Sequence, residues 1–431
     1  MISAFGVAAM VLGAGLAGAP GTQPAGPDDG RIVPVSAAQE TAGSREALTG
    51  LLALVPDTAA ARAGLPILAY ADLEATVRAG YAEAAPGTGL ASLSAEDAML
   101  ALARLSAGPQ RYLQYFGVMA EEMPGAIGVG VGDVQRGLEF GAQPSWGMVL
   151  GLAPDADREA AVAGALAARD FAARDIAGVT VWHRGEDGSM DLADRALADP
   201  FGGDLGMASR LFLADGRLAG SPVWPLAEAM AAAAGGTVPT LADDPAIATA
   251  VHAATDPGLD GELLQFILLD GTDAMPVPDE LLRILEDNIV DPDFGIRLRP
   301  EGPLPPYAVA ALADRFAGDR DEALVVLVYP DAVSAGQAAA VLADRLTAYA
   351  MISAPPAWLD RLMELDAVIA PRVLTDAETG LAAAIVRINY RAVFPTQEAR
   401  DDGTQPIGGS LFRFLVGALW RGELTPLMVF E

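Results

Sequence analysis

Two tripeptides, Pro154-Asp155-Ala156 and Pro330-Asp331-Ala332, each close an apolar run and open an alanine-rich stretch. A carboxylate at the exit of a strand can serve as a general base or a metal ligand. It can equally accept backbone N–H bonds in the first turn of a helix, where the helix dipole favours negative charge. Catalysis needs a partner base or a second ligand nearby, and neither turn has one. Both aspartates are therefore read as helix caps in a duplicated fold. The chain has only two histidines, His183 in the strand-like "TVWHRG" and His252 in the helical "IATAVHAAT". A Ser–His–Asp arrangement would have to be built around one of them, and no G-x-S-x-G elbow accompanies either. They are read as a half-exposed strand residue and a helix-surface residue.

Three acidic turns, "EDGSMD" (Glu186 to Asp191), "DPDFG" (Asp291 to Gly295) and "ARDDG" (Ala399 to Gly403), raise calcium, but none completes the oxygen pattern of an EF-type loop. "GVGVGDV" (Gly128 to Val134) has glycine at every second position but not the spacing of a dinucleotide loop, so it is read as a strand over which another element packs closely. The pattern assigns no catalytic, cofactor-binding or metal-ligating residue, and no cofactor is expected. If a metal- or histidine-dependent turnover existed, Glu186, Asp187 and Asp191, just after His183, would be the first residues to examine.

Composition removes other chemistries. The basic residues number 27 and all are arginine, which excludes Schiff-base lysines and a Walker-type lysine. The absence of cysteine excludes disulfides, thiolate nucleophiles and Cys-ligated metals. A net charge of −30 repels nucleic acid and anionic lipid, so neither is an expected partner.

The elements that would carry these residues follow from periodicity. "SREALTGLLALVP" reads as a helix opening at Ser44 and ending before Pro56, and "PILAYADL" as a strand leaving at Asp72. "SLSAEDAMLALARLSAG" is a helix, and "AIGVGVGDVQRGLEFG" a strand that becomes a short helix at Asp133. "SWGMVLGL" leads into the helix after Asp155. "SRLFLADGRLAGS" is a hairpin about Asp215-Gly216, and "PVWPLAEAMAAAAGG" a closing helix. The second half repeats this order: "ELLQFILLDG", "YAVAALADRFAG", "ALVVLVYPDA" with its helix, "LAAAIVRINY", and the closing "GGSLFRFLVGALWRG". The fold class expected is α+β, two related ferredoxin-like units with the helices on one face of each sheet. Their expected spans are residues 44–258 and 259–431.

At the N-terminus, Phe5 to Ala19 is uncharged, small and apolar and ends in an A-x-A pattern, so residues 1–19 are read as a signal peptide or retained anchor. Residues 20–43 read as a disordered linker. An exported, periplasmic or extracellular protein is expected, with no integral membrane domain beyond that segment.

The succession "AGVTVWHRGEDG", "SRLFLADGRLAGSP" and "PTLADDPAIATAV" resembles a family of exported bacterial and archaeal proteins with tandem ferredoxin-like repeats, an L-A-D-D-P motif and no assigned molecular role. Here the motif is Leu241-Ala242-Asp243-Asp244-Pro245, with Ile247 at the usual aromatic position. The resemblance implies fold and envelope location and carries no catalytic residue. Many members bear a lipid-modified cysteine, which this chain lacks. The leading expectation is a non-enzymatic envelope scaffold or protein-binding module. The alternatives are a ligand-binding or sensing protein using an interdomain cleft and a carboxylate- or metal-dependent hydrolase.

Overall fold

The computed structural model describes residues 37–80, 90, 93, 98, 101–113, 121–256, 258–259, 261–271, 290–291, 296–297, 301–349, 357–393 and 408–429. Ser36–Glu431 form one compact unit. Among the described residues no helix is long and apolar enough to cross a membrane. Residues 292–295, the turn at 399–403 and positions 94–97 of the expected helix fall outside the described residues; of that helix Ala98, Ala101 and Leu102 are helical, and the chain turns at Ala103 and Arg104, short of the expected stop at Gly108.

Besides the two-residue strands Val290–Asp291 and Ile296–Arg297, which pair with each other, apolar runs and period-2 alternation produce twelve strands among the described residues: β1 (Leu68–Asp72), β2 (Val134–Ala142), β3 (Ser145–Leu152), β4 (Ala172–Ile176), β5 (Val179–Arg184), β6 (Ser209–Ala214), β7 (Arg217–Ser221), β8 (Glu262–Asp270), β9 (Val309–Ala317), β10 (Arg320–Tyr329), β11 (Val368–Thr375) and β12 (Ala382–Arg391). They join in one sheet of order β11-β12-β10-β9-β8-β1-β2-β3-β7-β6-β5-β4. Every neighbouring pair is antiparallel. The two halves of the chain meet at the β1–β8 ladder, Leu68 opposite Leu268, so their junction is a continuous sheet and not a cleft. The α+β class holds.

Helices cover both faces of this sheet, which corrects the expectation of one helical face. Alternation along β9 separates the faces: Val309, Ala311 and Ala313 enter one core, Ala310 and Leu312 the other. The first core runs the width of the sheet under α1 (Ala37–Leu52), α2 (Ala59–Arg62), α3 (Trp224–Ala234) and α4 (Pro245–Ala254). On the opposite face, α5 (Ala332–Thr347), α6 (Ala357–Glu364) and α7 (Ser410–Trp420) cover the second half. There α8 (Arg158–Ala167) and α9 (Met123–Ile127) cover part of the first half. The two expected closing helices, α3 and α7, therefore lie on opposite faces and are not equivalent. The apolar stretch Ser410 to Trp420 is core-facing, with Leu411, Phe412, Leu415 and Leu419 buried.

Two further elements differ from the sequence reading. Helix α1 begins at Ala37, so Ser44 is internal and the end of the expected linker is helical; "AAQETA" contains good helix formers that override the Ser44 cap signal. The segment before Asp133 is helix α9 followed by a 3-10 turn at Val131–Asp133, and the strand comes after it, as β2. Interior Arg136 and Gly137 hid that strand, because they break the apolar alternation expected of it.

With no lysine in the chain, buried arginines pin irregular backbone. Arg315 donates to the carbonyls of Ala254, Leu259 and Gly261 at 2.6, 3.1 and 2.6 Å. Arg345 does the same for Glu301, Gly302, Pro426 and Met428, tying the C-terminal segment to α5. A guanidinium's five donors suit this role better than a single ammonium would.

Candidate functional site

The two Pro-Asp-Ala turns occupy the same setting, between the second strand of a hairpin (β3 or β10) and a helix (α8 or α5). Asp331 is the N-cap of α5: its carboxylate accepts from Val333 and Ser334 backbone N–H at 2.9 and 2.8 Å and from the Ser334 hydroxyl at 2.9 Å. The Ser334 backbone and hydroxyl bonds hold this carboxyl below its ordinary range. Asp155 behaves differently. Its Oδ1 accepts from Asp157 N–H at 3.0 Å, and the helix begins only at Arg158. The expected cap is thus present in one copy and is a short turn in the other. The L-A-D-D-P motif is also capping machinery. Asp243 accepts from Thr240 N–H and hydroxyl, while Asp244 accepts from Ala246 and Ile247 N–H at the start of α4. Asp244 also meets Arg62 at 2.5 Å.

In the glycine-rich segment, a Cβ on Gly128 would lie 2.4 Å from Val162 Cα. The close approach inferred from "GVGVGDV" is made by α8, over a helix end and not over a strand.

His252 sits half-buried on α4 with Nδ1 3.2 Å from Asp376 Oδ1. Asp376 follows β11 in a turn and is buried. Burial raises its pKa, but bonds from Glu378 N–H, the Thr379 hydroxyl, His252 and the Thr249 hydroxyl outweigh that and lower it. A nucleophile would have to hydrogen-bond to the imidazole. Here the Thr249 and Thr379 hydroxyls both address the carboxylate, at 3.1 and 3.0 Å, and lie 2.7 Å from each other. The arrangement ties α4 to the β11–β12 turn. The contacts of Thr249 and His252 with Asp376 had no local signal, since these partners are more than a hundred residues apart in sequence, whereas the Thr379 bond to Asp376 is made within one turn.

His183 on β5 packs against Trp224, ring centroids 4.9 Å apart. Burial, Arg210 and Arg174 lower its pKa. Asp187 in the following turn pairs with Arg210 at 2.7 Å and accepts from the Trp224 N–H at 3.0 Å. Asp191 accepts from Ala193 N–H at 2.9 Å. The structure thus places Asp187 beside the helix start at Trp224 and Asp191 in a neighbouring 3-10 turn. Among the described residues no group of three His, Asp or Glu side chains converges closely enough to hold a metal ion.

A deeper charged cluster joins the halves of the chain. Arg104 donates to Asp314 through Nε and Nη2 at 3.0 and 2.8 Å and lies 2.8 Å from Asp321. Gln265 donates to Asp314 at 2.7 Å and accepts from Ser106 and Ala107 N–H. All three charged side chains are buried, so this cluster is a bolt across β8, β9 and β10.

A long exposed stretch lies in the excursion between β5 and β6. From Gly185 to Ala193 every residue is exposed, and Met190 and Leu192 are 58% and 63% accessible. The segment nevertheless has fixed geometry, with Asp191 N–H on Gly206 O at 2.9 Å and Ala196 N–H on Gly203 O at 2.8 Å. A cavity of about 380 Å³ opens beside it, lined in part by Arg184, Met190 and Met207. No family model matches the chain, and neither does any curated protein or solved structure.

Proposed function

We infer that this chain is a non-enzymatic exported protein that works by binding another protein in the cell envelope. The single observation that carries the reading is the contrast between its polar groups and its apolar surface. Asp155, Asp187, Asp191, Asp244 and Asp331 are engaged in caps, turns and ion pairs and His252 meets the buried Asp376, while large apolar side chains stand out on a braced loop. The apolar Phe5 to Ala19 stretch supports export. The mirrored strand order supports two related ferredoxin-like units. Outward from the β1–β8 pair, each half runs a single strand, a hairpin (β2–β3 or β9–β10), then the second strand of a later hairpin (β7 or β12).

Binding by strand addition is disfavoured at both ends of the sheet. β4 is five residues long and carries Arg174 and Asp175, while β11 contains Pro371. Short, charged or proline-bearing edges resist a further strand. A loop surface is left as the more suitable contact.

The reading is tested in the native host by N-terminal sequencing and fractionation of the mature chain. Loss of at least the first 19 residues, or recovery from the membrane, is expected. An intact, freely cytosolic chain would overturn the export half of the reading. The binding half is tested by cross-linking in the envelope fraction, where a discrete adduct is expected and none would refute it.

A further inference from the structure

We propose that the loop from Glu186 to Gly206 is the docking surface, and that it takes a basic, apolar segment of a protein partner. The proposal rests on the binding-module reading above and names the surface and the partner chemistry.

The loop has an inside and an outside. Inside, Phe201 and Ala198 are buried, and the buried Asp199 pairs with Arg169 at 2.9 Å. The Ser209 hydroxyl donates to Phe201 O at 2.9 Å, which fixes the base of the loop to β6. Outside stand Met190, Leu192, Leu197 and Leu205, all exposed. The Met190–Met207 bridge and the Asp191–Gly206 bond run the two arms antiparallel, which places Leu192 beside Leu205. Arg195 Nε donates to Asp204 O at 2.7 Å, a second tie between the arms. The apolar side chains are therefore held outward by a hydrogen-bonded frame. Burying them against a partner costs little backbone ordering, and that is what preorganised contact surfaces gain.

Charge selects the partner. Glu186 to Gly206 contains six acidic residues and one arginine; Asp199 and Asp204 are buried and Asp187 pairs with Arg210, while Glu186 and Asp191 stand on the exposed side, on a chain of net charge −30. A second copy of this chain or an anionic bilayer would meet like charge. A segment that interleaves arginine or lysine with leucine-type side chains would satisfy both the apolar outside and the acidic field. Methionine at the centre allows adjustment to the partner's side chains.

The test uses the full chain and a labelled dodecapeptide of alternating arginine and leucine, with fluorescence anisotropy at physiological salt. Saturable binding is expected, weakened about tenfold or more in a Met190→Ser, Leu192→Ser, Leu197→Ser variant that melts at the wild-type temperature. Equal binding by that variant would overturn the proposal. So would equal binding of an arginine–serine peptide, which would mean charge alone, or preferential binding to phosphatidylcholine vesicles. A photoreactive residue at Leu192, and separately at Met363 on α6, divides the two claims in the envelope fraction. An adduct only from Met363 removes this surface and leaves the binding reading standing, whereas no adduct from either site removes both.

Discussion

The two halves of the sheet share their inner strands and part company at their outer ends. In the second half, β10 is almost wholly buried and the sixteen-residue α5 lies over β11 and β12. Trp358 fills the space beneath, fully buried against Tyr349 and Phe414. In the first half, α8 is only ten residues long, and an additional hairpin, β4–β5, extends the sheet beyond β6. The long excursion to β6 then leaves that hairpin. The outer ends thus differ in construction, a helix layer packed over β11 and β12 in one half and an exposed, hydrogen-bonded loop after β5 in the other, although the second half also exposes Val333, Met363, Val368 and Trp420. Two halves with the same order of inner strands can end differently without a change in those strands.

The largest expected effect comes from the bolt between the halves. Arg104→Ala leaves Asp314 and Asp321 buried without their guanidinium, and unfolding in urea should register a loss of about 3–5 kcal/mol. A loss below about 1 kcal/mol would mean the cluster is not closed as described. Trp358→Ala in the packed half should cost about 3–5 kcal/mol. Leu192→Ala in the exposed loop should stay within about 0.5 kcal/mol. Equal costs at these two positions would erase the contrast between the halves.

Acidity gives a smaller and opposite-looking effect. Burial raises the carboxyls of Asp72, Glu139, Asp199 and Asp321. In the window between the unfolded carboxyl pKa, about 4, and the raised folded values, the folded chain binds more protons than the unfolded one. Stability should therefore increase as pH falls from neutral toward about 5, and relief of the −30 charge acts in the same direction. Asp133, Asp331 and Asp376 are held low, so their contribution is lost only at more acid pH, as each is protonated in the folded state. His183, with its lowered pKa, works weakly against the trend below about pH 6.5. A urea midpoint that falls steadily from pH 8 to 5 would contradict this account. The smallest effect separates the twin turns: Asp331→Ala should lower the melting temperature more than Asp155→Ala, since only Asp331 caps its helix.

Local signals carried much of the fold. The Asp215-Gly216 hairpin, the β1 exit at Asp72, the Asp331 cap and the α3 stop at Gly235-Gly236 all rest on neighbouring residues, and each is found where the sequence places it. What could not be read was non-local. The face a helix covers depends on the connection that delivers it, so α3 and α7 look alike and pack oppositely. The Arg104 bolt spans 210 residues and the His252–Asp376 contact joins a helix to a distant turn, so neither leaves a spacing to recognise. The exposed loop was visible only as an acidic turn after His183. Its outward leucines needed the structure, because apolar residues in a loop read equally well as core.

The central claim is that function lies on the exposed loop and not in the histidines or buried carboxylates. It is tested most directly by comparing three baits against the same envelope fraction: the wild-type chain, His183→Ala with His252→Ala, and the Met190, Leu192, Leu197 serine variant. The account predicts the same partner on the first two baits and its loss from the third. A partner kept equally by all three, or lost with the histidines alone, would contradict it.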